Sequence, residues 1–176
     1  FGAEEDDPRS NLSGLTAKNS FSSPDGLWFS QATGICWIQT DDGAMTDESN
    51  CMMLAAIPGE LGDGGPLTVK NAMQVGGEIA EGSQDTFIGA TLGEARLKRF
   101  LVAPRGAEVT GLAESADGKI LFVNIQHPGE KTPPLGSAPQ YSLESAWPGN
   151  QGYGQPGRPR SATIMIQRDD GGVVGL

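Results

Sequence analysis

Apolar residues in this chain come in short runs broken by turn-forming residues, and no segment holds a helical spacing over three turns. The clearest pair of runs is 109–112 and 120–125, which flank Asp117-Gly118. That dipeptide suits a hairpin turn, because Gly takes positive φ without strain. A second pair precedes it: Leu27-Trp28-Phe29 leads to a turn at Gly34 and on to Cys36-Trp37-Ile38. Gly26 matches Gly111, Trp37 matches Phe122 and Asp42 matches His127, at a constant spacing of 85 residues. Further strands are predicted at 52–57 and 97–102 after the first hairpin. Lys98 and Arg99 mark 97–102 as an outer, edge strand. After the second hairpin, strands are predicted at 162–167 and 173–176, joined by a turn at Asp170-Gly171-Gly172.

Four strands in succession, repeated, describe the blades of a propeller. The fold class is therefore all-β, a β-propeller segment of about two four-stranded antiparallel blades. Residues 1–22 read as a polar, frayed lead-in. Residues 23–104 form one blade with a Gly-rich insertion at 58–95, where short strands fall at 67–69 and 86–88. Residues 105–176 form the second blade. Its loop 128–160 is too long for a connector, and is expected to be functional or packed across a face. In such blades the segments 23–25, 41–50, 105–108 and 127–160 emerge on one side.

Composition sharpens this picture. The chain has 26 Gly and 12 Pro among 176 residues and is 37% apolar, which fits short strands under long irregular loops. A net charge of −10 disfavours nucleic acid and suits divalent or trivalent cations, or serves solubility alone. No apolar run has membrane length and no signal peptide is visible; an opening Phe1 suggests a processed or partial chain. Cys36 and Cys51 lack the spacing of a zinc or redox motif. Cys36 reads as a small core residue, and its pairing with Cys51 across a shared loop is left open. Asn11-Leu12-Ser13 fits a glycosylation triplet, a pattern common by chance.

The candidate chemistry gathers at one sheet edge. A hairpin brings the start of its first strand beside the end of its second, so Arg105, Glu108, His127 and Glu130 share that edge. Glu108 is the first candidate for a hard-metal ligand or a carboxylate beside one; the alternative is a buried carboxylate satisfied by backbone amides. Asp25 holds the comparable place in the first blade, as a metal ligand or as the cap of its own turn. Of Asp41 and Asp42, side-chain alternation lets only one face inward, and Asp42 is the candidate metal ligand. His127 could ligate a metal or give a proton to a leaving group, against a structural role before Pro128-Gly129. Arg105, with Arg158 and Arg160, could clamp phosphate through paired hydrogen bonds, against ordinary surface ion pairs. Trp28, Trp37 and Trp147 read as core and loop anchors. Residues 149–157 are Gly-rich but lack the Gly-Lys-Ser/Thr of a phosphate loop, and 41–50 does not match a calcium-binding EF-hand.

Several strings together resemble a known family. They are Ser23-Pro24-Asp25-Gly26-Leu27-Trp28-Phe29, Trp37-Ile38-Gln39-Thr40-Asp41, Pro104-Arg105-Gly106-Ala107-Glu108-Val109-Thr110-Gly111, Asn124-Ile125-Gln126-His127-Pro128-Gly129-Glu130 and Gly157-Arg158-Pro159-Arg160-Ser161-Ala162-Thr163. In this order they are similar to the C-terminal part of the PhoX-type alkaline phosphatases. The resemblance implies a six-bladed propeller, of which this chain is roughly the last two blades. It implies hydrolysis of phosphate monoesters with ferric iron and calcium, and export in the folded state by the twin-arginine route to a periplasmic or secreted location. Neither Cys36 nor Cys51 sits in the family's iron-binding motif. Two other classes remain open: an inactive binding or structural propeller segment, and a calcium-dependent lactonase-like propeller hydrolase sharing ligands of the Asp25 type. The expected partner is a phosphate monoester, with no nucleic acid and no membrane. Two blades alone leave an apolar face and open sheet edges, so missing blades or self-association are expected to complete the fold.

Overall fold

The computed structural model describes residues 11, 13–43, 48–136, 143–152 and 157–176. Numbered in chain order, the strands are β1 (Pro24–Phe29), β2 (Cys36–Thr40), β3 (Met52–Ala56), β4 (Gly65–Val75), β5 (Glu78–Ile88), β6 (Leu97–Val102), β7 (Glu108–Glu114), β8 (Ile120–Gln126) and β9 (Ala162–Gln167). They make a four-stranded sheet in the order β1-β2-β3-β6, a three-stranded sheet β7-β8-β9, and a two-stranded ribbon β4-β5. All pairings are antiparallel. Among the described residues, helix is confined to one turn at Gly93–Arg96 and a 3-10 turn at Gly149–Gln151.

The two sheets repeat one another residue by residue. Trp28 pairs with Trp37 and Leu27 with Ile38; 85 positions on, Ala113 pairs with Phe122 and Leu112 with Val123. Each first strand breaks register once, between Pro24 and Gly26 and between Thr110 and Leu112, the signature of a β-bulge. The repeated glycines have a physical reason. A Cβ on Gly26 would stand 2.5 Å from Gln39 Oε1, and one on Gly111 2.7 Å from Asn124 Nδ2. In each sheet an amide side chain of the second strand lies over the glycine of the first.

The core has two parts. Between the sheets lie Trp37, Met53, Val109, Leu121, Val123 and Ile125. On the opposite face of the first sheet, Cys36, Ile38, Met52 and Leu54 pack with Leu15 and Phe21. Consequently β2 is buried at every residue, whereas β8 alternates buried and exposed. The Trp37 ring meets Phe100 edge-on with centroids 4.7 Å apart.

Three expectations need correction. The lead-in is not frayed where it is described: Phe21 is fully buried and Leu15 nearly so. Asn19, also buried, accepts from the Thr16 N–H at 2.8 Å and donates to the Leu97 carbonyl at 3.3 Å, tying this segment to β6. Two apolar residues facing a sheet outweigh the polar composition around them. Asn11 spends its amide on Leu15, donating to its carbonyl at 2.8 Å and accepting from its N–H at 2.7 Å. Residues 1–10, which hold the acidic run, lie outside the described residues.

Residues 173–176 form no strand, so the second sheet has three strands among the described residues. Asp170 instead closes a local turn, accepting from the Gly172 N–H at 2.9 Å while paired with Arg168. Val174 then folds back, its N–H donating to the Gly118 carbonyl at 2.9 Å and its side chain entering the core between the sheets. The insertion holds two strands of eleven residues each rather than short segments. Leu67, Val69, Met73 and Val75 fall on alternate positions of one strand, and a turn at Gly76-Gly77 joins it to the next.

Candidate functional site

The loops at one end of the two sheets enclose a cavity of about 130 Å³. Asp41, Asp42 and Cys51 line it from the first sheet; Arg105, Gly106, His127, Glu130, Lys131 and Glu144 line it from the second. The sequence reading places segments 41–50, 105–108 and 127–160 on a common side, and all three contribute to this wall.

Its second-sheet half is an extension of the β7-β8 ladder. Gly129 donates its N–H to the Arg105 carbonyl at 2.8 Å, and Glu130 to the Gly106 carbonyl at 3.2 Å. Gly106 is needed there. Its φ is +65°, and a Cβ would come within 2.5 Å of Glu144 Oε2 and 3.0 Å of the Glu130 nitrogen. The long loop returns over this corner. Glu144 accepts the Lys131 N–H at 2.8 Å through Oε2 and faces Arg105 Nε at 3.5 Å through Oε1. Arg105 is otherwise solvent-facing, with 77% of its side chain exposed, so the pair does little for stability and leaves most guanidinium donors open.

His127 is held on every side. Its φ of +33° is unusual for a residue other than Gly, and its backbone N–H donates to Ser161 Oγ at 2.9 Å. Ring Nε2 meets Glu108 Oε1 at 2.7 Å, and Nδ1 faces the Gly106 carbonyl at 3.4 Å. Glu108 Oε1 also accepts from Gln126 Nε2, its partner across the ladder, at 2.5 Å. Partial burial pulls the imidazole pKa down, but the Glu108 carboxylate and the Gly106 carbonyl together raise it above the ordinary value. Both acceptors are satisfied at once only by the doubly protonated ring. When protonated, the ring satisfies both acceptors and presents a positive charge to the cavity. Glu108, placed by the sequence at a channel mouth, is the buried partner of this ring.

Across the cavity Asp42 is buried and Asp41 exposed, as alternation requires. Asp42 Oδ1 accepts from Ser22 Oγ at 2.7 Å and Ser23 Oγ at 3.4 Å. Its N–H lies 3.1 Å from Cys51 Sγ, whose thiol faces the Asp42 carbonyl at 3.5 Å. Burial, and then the neighbouring aspartate charges, raise the Cys51 pKa, although hydrogen bonds from Asp42 and Thr40 pull it the other way. Cys36 and Cys51 are both free thiols and belong to opposite core clusters, which settles the open question against a disulfide.

Asp25 stands exposed at the β1 bulge and does not line the cavity. Arg158 donates to the Pro133 carbonyl, bracing the long loop, and Arg160 is also outside the cavity lining. Among the described residues, no three His, Cys, Asp or Glu side chains converge as a metal would require. Residues 44–47 of the acidic loop lie outside the described residues. Sequence reading missed Lys131, Glu144, Ser22 and Cys51. Lys131 could have been found beside Glu130; Glu144 carries no signal, because only the path of the long loop brings it to Arg105.

Sheets of repeating register that aim their loops at one polar cavity define a propeller-type protein with its site on the loop face. A family model described as alkaline phosphatase PhoX matches residues 1–129, and the chain belongs to the PhoX alkaline phosphatase family. It is also similar to the solved structure of Pseudomonas fluorescens PhoX in complex with vanadate, a transition state analogue, with a TM-score of 0.53 and 33% identity. That match covers 89% of this chain and 20% of the other, so the chain spans about a fifth of its length. No curated protein matches the chain.

Proposed function

We propose that this chain forms one wall of a phosphomonoesterase site and that the cavity at the sheet ends receives the phosphoryl group. The observation that carries this reading is the cavity lining. Arg105, Lys131 and His127 line it together with Asp41, Asp42, Glu130 and Glu144. The Arg105 guanidinium, with most of its donors open, matches the geometry of phosphate oxygens, and the carboxylates beside it suit cations that would accompany a phosphate. Charge accumulating on the phosphoryl oxygens during transfer is stabilised by such fixed donors. Glu108 has a positioning role, through the ring of His127.

The resemblance brings calcium and ferric iron as the expected metals, which would polarise the phosphoryl oxygens and supply a nucleophile when bound. Asp41 and Asp42 offer the hard oxygen donors such ions prefer. Yet Asp42 is held by two serines, Glu108 by Gln126 and His127, and Asp25 stands apart. These side chains alone do not fit a complete metal centre. A periplasmic or secreted location belongs to the same proposal and rests on the resemblance.

The test is calorimetric titration of the chain with inorganic phosphate, and with vanadate as competitor. Arg105→Ala and Lys131→Ala are each expected to weaken binding about tenfold or more, the value of one charge-assisted hydrogen bond. Equal binding by the chain and both variants, or none by the chain, removes the cavity from the reaction. Hydrolysis of p-nitrophenyl phosphate with and without added calcium then reads the activity. Lactone opening in its place selects the lactonase-like class.

A further inference from the structure

Arg105 and Lys131, on which the phosphoryl cavity rests, are joined through a third residue. Glu144 reaches the cavity from the returning half of the long loop, with only 13% of its side chain exposed. Its two carboxylate oxygens are divided between the two cationic residues. Oε1 stands 3.5 Å from Arg105 Nε, and Oε2 accepts the Lys131 N–H at 2.8 Å. Among the described residues no other carboxylate lies within ion-pair reach of Arg105.

The carboxylate is itself anchored. The Glu144 N–H donates to Thr132 Oγ1 at 3.1 Å, and the Thr132 N–H closes a turn on the Gly129 carbonyl at 2.8 Å. Two glycines make the room. A Cβ on Gly106 would stand 2.5 Å from Glu144 Oε2, and one on Gly129 3.0 Å from the Ser145 nitrogen. The loop thus delivers a fixed negative charge to the wall of an anion cavity. On charge alone that place is unfavourable beside a phosphate. Orientation of the donors gives it a purpose. Arg105 is mostly in solvent, and a free arginine loses rotamer freedom when it grips a ligand. A carboxylate already holding Nε removes part of that cost and leaves the terminal N–H groups for the ligand.

We propose that Glu144 is a positioning residue for the phosphoryl cavity, presetting Arg105 through Nε and Lys131 through its backbone. The role holds only if the cavity receives phosphate, as proposed above. Every contact it needs is made within this chain, at a side chain largely closed to solvent.

Calorimetric titration with inorganic phosphate, in buffer without added metal, is the test. Glu144→Gln keeps an oxygen for the Lys131 N–H but loses the charge that holds Arg105. Phosphate binding is expected to weaken about two- to tenfold, the cost of ordering one free side chain. Glu130→Gln is the control, since Glu130 lines the same cavity with an exposed side chain. Losing that charge is expected to leave phosphate binding unchanged or tighter, the opposite direction. The decisive measurement adds Glu144→Gln to Arg105→Ala. With the guanidinium gone, Glu144→Gln is expected to cost nothing further, whereas a residue that only holds the loop would cost the same in both backgrounds. Amide exchange at Lys131 is expected to match wild type in Glu144→Gln. If it does not, Glu144→Asp replaces that variant: it keeps the charge, is one carbon too short to reach both partners, and is expected to weaken binding likewise. Phosphate binding by Glu144→Gln as tight as wild type or tighter, or an equal loss in both backgrounds, overturns the positioning role and leaves the phosphate cavity standing. No phosphate binding by the wild-type chain removes cavity and role together.

Discussion

The first and second sheets share a strand pairing and a glycine, and each has one bulge, yet Trp37 is wholly buried while Phe122, its counterpart, is 41% exposed. The first sheet has the second on one face and the Leu15–Phe21 segment on the other. Among the described residues, the second sheet has a neighbour on one face only. A repeated sequence pattern thus dictates the same strand geometry twice, and the surroundings decide what each position is worth.

The largest expected effect tests this directly. Trp37→Ala should cost about 3–5 kcal/mol in denaturant unfolding, as for a large aromatic lost from a core. Phe122→Ala, at the same repeat position, should cost about 1 kcal/mol or less. Equal losses would mean that the second sheet's outer face is not open. Next comes Glu108→Ala, which leaves Gln126 and His127 without their acceptor. A loss of about 2–3 kcal/mol is expected, with the His127 titration in NMR moving down toward its ordinary value.

The raised His127 pKa carries its own pH dependence. A group whose folded pKa is raised contributes stability that is complete below its unfolded pKa of about 6.5, and that is lost as pH rises through the higher folded value. The denaturant midpoint should therefore fall as pH climbs above about 6.5, and His127→Gln should flatten that slope. A smaller effect is expected at the opposite rim. There Glu114 of β7 accepts from Ser30 Oγ at 2.6 Å and the Gln31 N–H at 3.0 Å, joining the two sheets. Glu114→Ala should cost about 1 kcal/mol. The smallest change is expected in the ribbon. Replacing 66–87 by a short turn should shift the midpoint by less than about 1 kcal/mol, because most ribbon side chains are exposed.

Much of the fold could be read from the residues because strand periodicity and turn chemistry are local. Asp117 shows this. It accepts from Ser115 Oγ at 2.7 Å and from the Lys119 N–H at 3.2 Å, fixing the turn that its sequence announces. The Gly26–Gly111 spacing held for a similar reason, since each glycine answers a steric demand within its own hairpin. What escaped was non-local. The burial of Phe21 depends on the far face of a sheet formed later in the chain. Val174 looked like a strand residue and became a core plug, because its N–H finds the Gly118 carbonyl rather than a ladder. At the site, Arg105 and His127 were legible as neighbours through hairpin geometry. The engagement of both His127 ring nitrogens was not, since it needs the left-handed backbone at that residue to aim the imidazole back at Glu108.

The two thiols offer a use for the split core. Cys36 sits under the Leu15–Phe21 covering and Cys51 between the sheets, and burial depresses thiolate formation at both. The Cys36 sulfur reacts only when the segment covering it lifts, whereas Cys51 also lines the cavity and can be approached from there. Alkylation followed by mass spectrometry would thus provide two separate clocks in one molecule, one timing the release of the leading segment and the other access to the cavity.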